Sequence, residues 1–112
     1  MEREELEKLT REYNMLHEQI QALSMHRQQF AEQKEEYKEA LAELEKATGK
    51  IYMAIGGVIV EVEKPKAIES VKEKEENAEM RISIVKKQQD DLTKKEQNLR
   101  SEINEAIKEL KE

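Results

Sequence analysis

This 112-residue chain has no cysteine and no tryptophan, one phenylalanine, one proline and three glycines. Without cysteine there are no disulfides and no thiolate metal sites, which fits a reducing compartment such as the cytoplasm. With hydrophobic residues at 37% and aromatics at 4%, little apolar volume is left for a conventional globular core. A basic surplus is missing too. The formal charge is -6, the wrong sign for a surface that neutralises phosphates, so no nucleic-acid partner is expected. The opening residues, MEREELEKL, contain no apolar stretch, so no signal peptide is expected. The longest uncharged run, Ile51 to Val60, is shorter than the roughly 20 residues a helix needs to cross a bilayer.

What the chain does contain is charge, at 41% of residues, with Glu, Lys, Gln, Leu and Ala prominent. That is the composition of long helices and coiled coils. All three glycines and the proline (Gly49, Gly56, Gly57 and Pro65) fall in one central window. The expected organisation is therefore a single mainly α domain: a helix over 1–48, an interruption over 49–64, and a second helix over 65–112.

The first segment carries an unbroken 3,4 spacing: Leu6, Leu9, Tyr13, Leu16, Ile20, Leu23, Arg27, Phe30, Lys34, Tyr37, Leu41 and Leu44. This is a heptad seam with Leu6 at an a position and Leu9 at d. The last segment repeats it with Ile68, Val71, Glu75, Ala78, Ile82, Val85, Gln89, Leu92, Glu96, Leu99, Ile103, Ala106 and Leu110. Each helix of about 45 residues spans nearly 70 Å at about 1.5 Å per residue. The seams match in antiparallel sense when partners carry numbers that add to 112, as in Leu44 with Ile68, Phe30 with Ile82 and Leu9 with Ile103. Heptad spacing also admits a displacement by one heptad. Arg27 and Lys34 lie on the seam, where their stems can pack while their charges reach water.

The central window reads KIYMAIGGVIVEVEK. Two adjacent glycines between β-branched runs signal a two-residue hairpin. Pairing about Gly56 and Gly57 places Ile51, Met53, Ile55, Val58, Val60 and Val62 on one wholly apolar face. Tyr52, Ala54, Ile59 and Glu61 share the other. An isolated hairpin is marginal in water and has two open edges. Two thin helices offer little surface to cover it, so burial against other subunits is expected. A loop folded back on the helices is the simpler alternative.

A long helix, one β-hairpin and a returning helix resemble the pattern of a β-type prefoldin subunit, and YMAIGGVIVE, Tyr52 to Glu61, looks like that family's hairpin motif. The resemblance implies a heterohexamer of two alpha-type and four beta-type subunits. In it the hairpins assemble into an intersubunit β-barrel from which the coiled coils hang. It also implies a chaperone that uses no nucleotide, holds unfolded client proteins at the coiled-coil tips and delivers them to a group II chaperonin. The residues it points to are those of the two chain ends: Leu6, Leu9, Tyr13 and Leu16 from one helix, and Leu99, Ile103, Ile107 and Leu110 from the other. Ordinary coiled-coil layers are the plainer reading of the same residues.

No reaction chemistry is legible. His17 and His26 flank the seam as expected surface residues, and the glycine pair lacks the Lys-Ser/Thr of a phosphate-binding loop. No cofactor or metal is expected. Met15, Met25 and Met80 fit flexible contact residues or simple helix formers, and Met53 the hairpin core. Two other classes stay open. One is a structural tether or adaptor that oligomerises through its hairpin. The other is a hairpin that inserts at a membrane surface, against which Glu61 and Glu63 weigh.

Overall fold

The computed structural model describes residues 2–111; Met1 and Glu112, at the outer ends of the two expected helices, lie outside them. The order is helix α1 (Arg3–Lys46), strands β1 (Ile51–Ile55) and β2 (Val58–Val62), then helix α2 (Lys64–Lys111). The described residues form two compact units. One holds 28–83, with the hairpin. The other joins 2–27 to 84–111.

Within each unit the heptad seam is what leaves solvent. All twelve seam positions of α1 are half-buried, and so are Ala40 and Ala47 beside them. On α2 every expected position from Ile68 to Ala106 is covered; Leu110 alone stays exposed. Among the described residues the buried ones are Ala67, Ala78, Val85 and Ala106. They are small, because a helix with a single neighbour can enclose only side chains that do not project past the contact.

The register agrees with the antiparallel expectation. Polar contacts join Tyr13 with Arg100, His17 with Glu96, Ser24 with Gln89 and Lys34 with Glu79, whose numbers each add to 113. In each of these pairs an a position reaches the e position of the facing helix. The polar seam residues therefore do not simply extend into water, as expected from their stems. Gln89 also donates to the Ile20 carbonyl at 3.4 Å, and Arg27 donates to the Gln89 side-chain oxygen at 3.4 Å.

The helix ends depart from expectation. α1 stops at Lys46, not at residue 48, closing with a tightened turn from the Ala47 amide to the Leu44 carbonyl at 3.3 Å. Gly49 lies beyond that end and carries the chain away at φ +90°. α2 starts one residue before Pro65, with the Glu63 carbonyl accepting from the Ala67 amide at 3.0 Å. Lys64, its first residue, reaches back to α1. Its Nζ donates to the carbonyls of Glu45 at 2.9 Å and Ala47 at 3.2 Å. A cation thus meets carbonyls that no helical amide can satisfy, at the negative end of the α1 dipole.

The hairpin pairs as expected: Ile51 with Val62, Met53 with Val60, and Ile55 with Val58. Only the first turn glycine has positive φ, Gly56 at +61°. That is the requirement of a type II′ turn, which asks nothing special of its second central residue.

Three substitutions test the helix connection and the turn. Lys64→Met should cost about 1–2 kcal/mol, since a charged donor to two carbonyls is lost from a part-exposed site; thermal melting by circular dichroism reads this. Gly56→Ala should cost about 1–2 kcal/mol through its left-handed backbone. Gly57→Ala, with open space around its Cβ, should leave protection unchanged or raise it slightly. Amide exchange across Ile51–Val62 separates the two glycines.

Candidate functional site

Two surfaces carry the expected site residues, one in each unit. The first is the hairpin. Its six-residue apolar face divides in two. Ile51, Met53, Val60 and Val62, at the base, are half-buried within the chain itself. Beside them lies a shallow groove of about 470 Å³, whose lining includes Leu44, Ala47, Met53, Ala67 and Val71. The helices thus cover the base of this face in part, and the expectation of burial against other subunits narrows to its turn end. The helix ends supply short side chains there, and the strands settle onto them. Ala67, fully buried at this place, lies outside the heptad seam, so the seam pattern gave no sign of it.

The turn end is different. Ile55 and Val58 are 59% and 61% exposed, and Ile59 on the opposite face is 73% exposed. Among the described residues the sheet has only these two strands, so each has an edge without a partner. A cluster of β-branched side chains beside open strand edges is an association surface by chemistry: apolar area to remove from water, and backbone groups to pair.

The second surface belongs to the unit of 2–27 and 84–111. The structure brings Leu6 together with Leu110 in an open groove, and Leu16 with Leu99 in another of about 430 Å³. Leu9 and Ile103 are half-buried seam residues. Ile107 and Leu110 are 38% and 49% exposed, so the apolar stripe stays open there. Met15 lines the groove of Leu16 and Leu99, a placement that its c heptad position does not announce.

Tyr13 departs from the expectation of a free apolar contact. Its hydroxyl accepts from Arg100 Nη2 at 2.9 Å, and the guanidinium lies 5.7 Å from its ring centroid. Its ring stacks on His17 at 6.2 Å. Glu96 joins the cluster with its side chain only 12% exposed, 3.3 Å from His17 Nδ1 and 3.4 Å from Arg100 Nη2. His17, expected as a plain surface residue, thus takes part in a polar clamp across the seam. Gln21 Nε2 stands 3.3 Å from His17 Nε2. An amide donating there leaves the ring proton on Nδ1, aimed at Glu96. The clamp satisfies a half-buried carboxylate that would otherwise weaken the coil.

Among the described residues no group of His, Cys, Asp or Glu is arranged to hold a metal ion. No helix among them is long and apolar enough to cross a membrane.

Helix, hairpin, helix, with one seam and an uncovered hairpin turn, define a coiled-coil protein with a β-hairpin inserted between its two helices. The chain belongs to the prefoldin subunit family: residues 7–110 match its family model. It is similar to the prefoldin subunit beta of Pyrobaculum neutrophilum, 30% identical over 108 residues, covering 95% of this chain and 86% of the relative. It is 32% identical over 93 residues to that of Pyrococcus furiosus, covering 81% and 80% of the two chains. The crystal structure of the prefoldin beta subunit from Thermococcus strain KS-1 superposes with a TM-score of 0.84 at 27% identity, over 91% of each chain. This chain is therefore of the beta type, a chaperone subunit with one hairpin.

Proposed function

We propose that this chain is one of the beta-type subunits of an ATP-independent holdase. It assembles through its hairpin with alpha-type partners, two alpha with four beta, into a complex whose hairpins share a β-barrel. The complex acts in the cytoplasm, holds unfolded proteins at its coiled-coil ends and passes them to a group II chaperonin. The observation that carries this reading is the clustering of uncovered apolar side chains. Ile55, Val58 and Ile59 are exposed together at the hairpin turn, and Ile107 and Leu110 continue the seam's apolar stripe near the end of α2, while Met25, Met80 and Ile84 are exposed singly along the helices.

The two surfaces take separate roles. The hairpin face, Ile51, Met53, Ile55, Val58, Val60 and Val62, serves assembly. Leu6, Leu9, Leu16, Leu99, Ile103, Ile107 and Leu110 serve the client, with Tyr13 braced behind them. Apolar grooves of this kind suit extended unfolded segments, which present alternating apolar side chains and no fixed shape. The work needs no nucleotide, and the sequence carries no phosphate-binding loop to take one.

Assembly is tested at Val58, because its side chain is exposed in the single chain and a charge there costs the fold little. Val58→Lys should leave the helical circular dichroism intact and reduce the mass of the complex in light scattering. A variant that keeps the parent mass in the presence of its partner subunits removes the hairpin from the interface. Client holding is tested by deleting 1–10 together with 103–112. The shortened complex should keep its mass and lose the ability to suppress aggregation of a denatured protein. Equal protection by the shortened complex would move the client surface elsewhere. A tether that works only through its hairpin would protect no client before or after the deletion.

A further inference from the structure

We infer that the groove between Leu6 and Leu110 takes apolar client segments that carry carboxylates, because its rim is basic in a chain whose net charge is acidic. This rests on the reading of the coiled-coil end as the client surface, and it names the kind of segment that surface prefers. The groove follows from the way one flank of the coil is filled. Contacts between a and e positions, whose numbers add to 113, close that flank at Tyr13 with Arg100 and at His17 with Glu96. Continued outward, the same pairing gives Thr10 with Ile103, Leu6 with Ile107 and Arg3 with Leu110. Beyond the clamp the flank therefore changes from polar to largely apolar. It opens there as a groove of about 660 Å³ lined by Arg3, Leu6, Glu7, Thr10, Arg11 and Leu110.

The two flanks of this end differ in sign. Over 3–12 and 100–111, the e and b positions hold Arg3, Arg100 and Lys111 against a single carboxylate, Glu7. The g and c positions of the same stretch hold Glu5, Glu12, Glu102, Glu105 and Glu109 against Lys8. Glu7 is itself engaged by Arg3, at 3.8 Å. Arg11, at the rim, and Lys111 have no ion-pair partner among the described residues.

The floor and the rim divide the work of recognition. Leu6 and Leu110 attract any apolar side chain, since removal of apolar area from water is not directional. The rim selects. A carboxylate beside the apolar anchor meets guanidinium groups whose paired donors match its two oxygens. Screening limits such attraction to about 8 Å at physiological ionic strength, so the groups beside the groove outweigh the net charge of -6 spread along the chain. A segment that carries lysine or arginine gains nothing on this flank.

The test titrates the assembled complex with two labelled unfolded chains and follows fluorescence anisotropy. Both chains repeat one apolar segment, flanked by glutamates in one and by lysines in the other. The glutamate chain should bind about threefold more tightly or better at low salt, and the difference should shrink as salt rises. Reversal of the rim, Arg3→Glu with Arg11→Glu and Lys111→Glu, should invert the order of the two chains. Lys86→Glu with Lys87→Glu and Lys94→Glu makes the same change in net charge away from the groove and should keep the order. Arg11→Gln with Lys111→Gln guards against a reversal that disturbs the end of the coil, and it should bring the two affinities together. Equal binding of both chains by the parent, an order that survives both rim variants, or an order lost equally in the distant variant overturns the inference. The client reading survives each of those results if deletion of 1–10 with 103–112 abolishes binding of both chains. If the deleted complex binds them as well as the parent does, or the parent binds neither, the client reading falls together with the inference.

Discussion

A helix with one neighbour can hide one stripe of its surface, and the rest of this chain is arranged around that limit. In each unit α1 and α2 supply one stripe each, and among the described residues only Ala67, Ala78, Val85 and Ala106 become buried. Leucines and isoleucines on the stripe give up part of their exposure, so each contributes a fraction of the roughly 1.5–3 kcal/mol of full burial. Stability of this kind accumulates along the length and has no centre. No single seam residue is indispensable, which is why polar residues are tolerated at a positions. Those polar residues do not waste their place. Lys34, Gln89 and Glu96 each reach across to the flank of the facing helix. They give up apolar area and gain directional contacts, the feature that uniform apolar layers lack.

The same limit explains the hairpin. A paired set of helices has two short ends, and the hairpin sits on one of them. There it finds Leu44, Ala47, Ala67 and Val71, enough to half-cover the base of one face. It finds nothing for Ile55, Val58 and Ile59, which lie at the turn. The II′ turn, set by Gly56, keeps the strands in a register that holds Ile55 and Val58 opposite each other on one face. Lys64 then ties the start of α2 to the end of α1, which fixes the strands at their root while the turn stays open.

The parts legible in the sequence are those governed by periodicity. The seam could be read from Leu6 to Ala106 because burial in a two-stranded coil repeats every three or four residues. The hairpin pairing could be read because Gly56 and Gly57 leave one symmetric way to fold the flanking runs. The parts that escaped depend on contacts between residues with no fixed spacing. Lys64 caps a helix that ended seventeen to nineteen residues earlier in the chain. Ala67 is buried beside the groove that the helix ends and the hairpin share, and its own heptad position marks it as flanking. His17 and Glu96 meet across the coil; their polarity suggested solvent, while the register that joins them places each within reach of the other. The helix ends were displaced because Gly49 marked where the chain must turn, and the last helical hydrogen bonds stop before it.

On the proposed reading, the thin seam also decides how a client is held. Near the outer end of α2, among the described residues, Ile107 and Leu110 are the large apolar side chains that stand open, each between one third and one half exposed. Covering them returns on the order of 1–2 kcal/mol apiece at about 25 cal/mol per Å². Association costs about 4 kcal/mol or more in lost translational and rotational freedom. One coiled coil alone therefore holds an unfolded chain too weakly to matter. Several copies fixed on a common body change this, because a segment released by one remains at high effective concentration near the others. Each contact stays weak enough to release, and the sum is strong enough to retain. Assembly through the hairpin is then a condition of holding, and the exposed turn of the hairpin and the half-open ends of the helices are two parts of one mechanism.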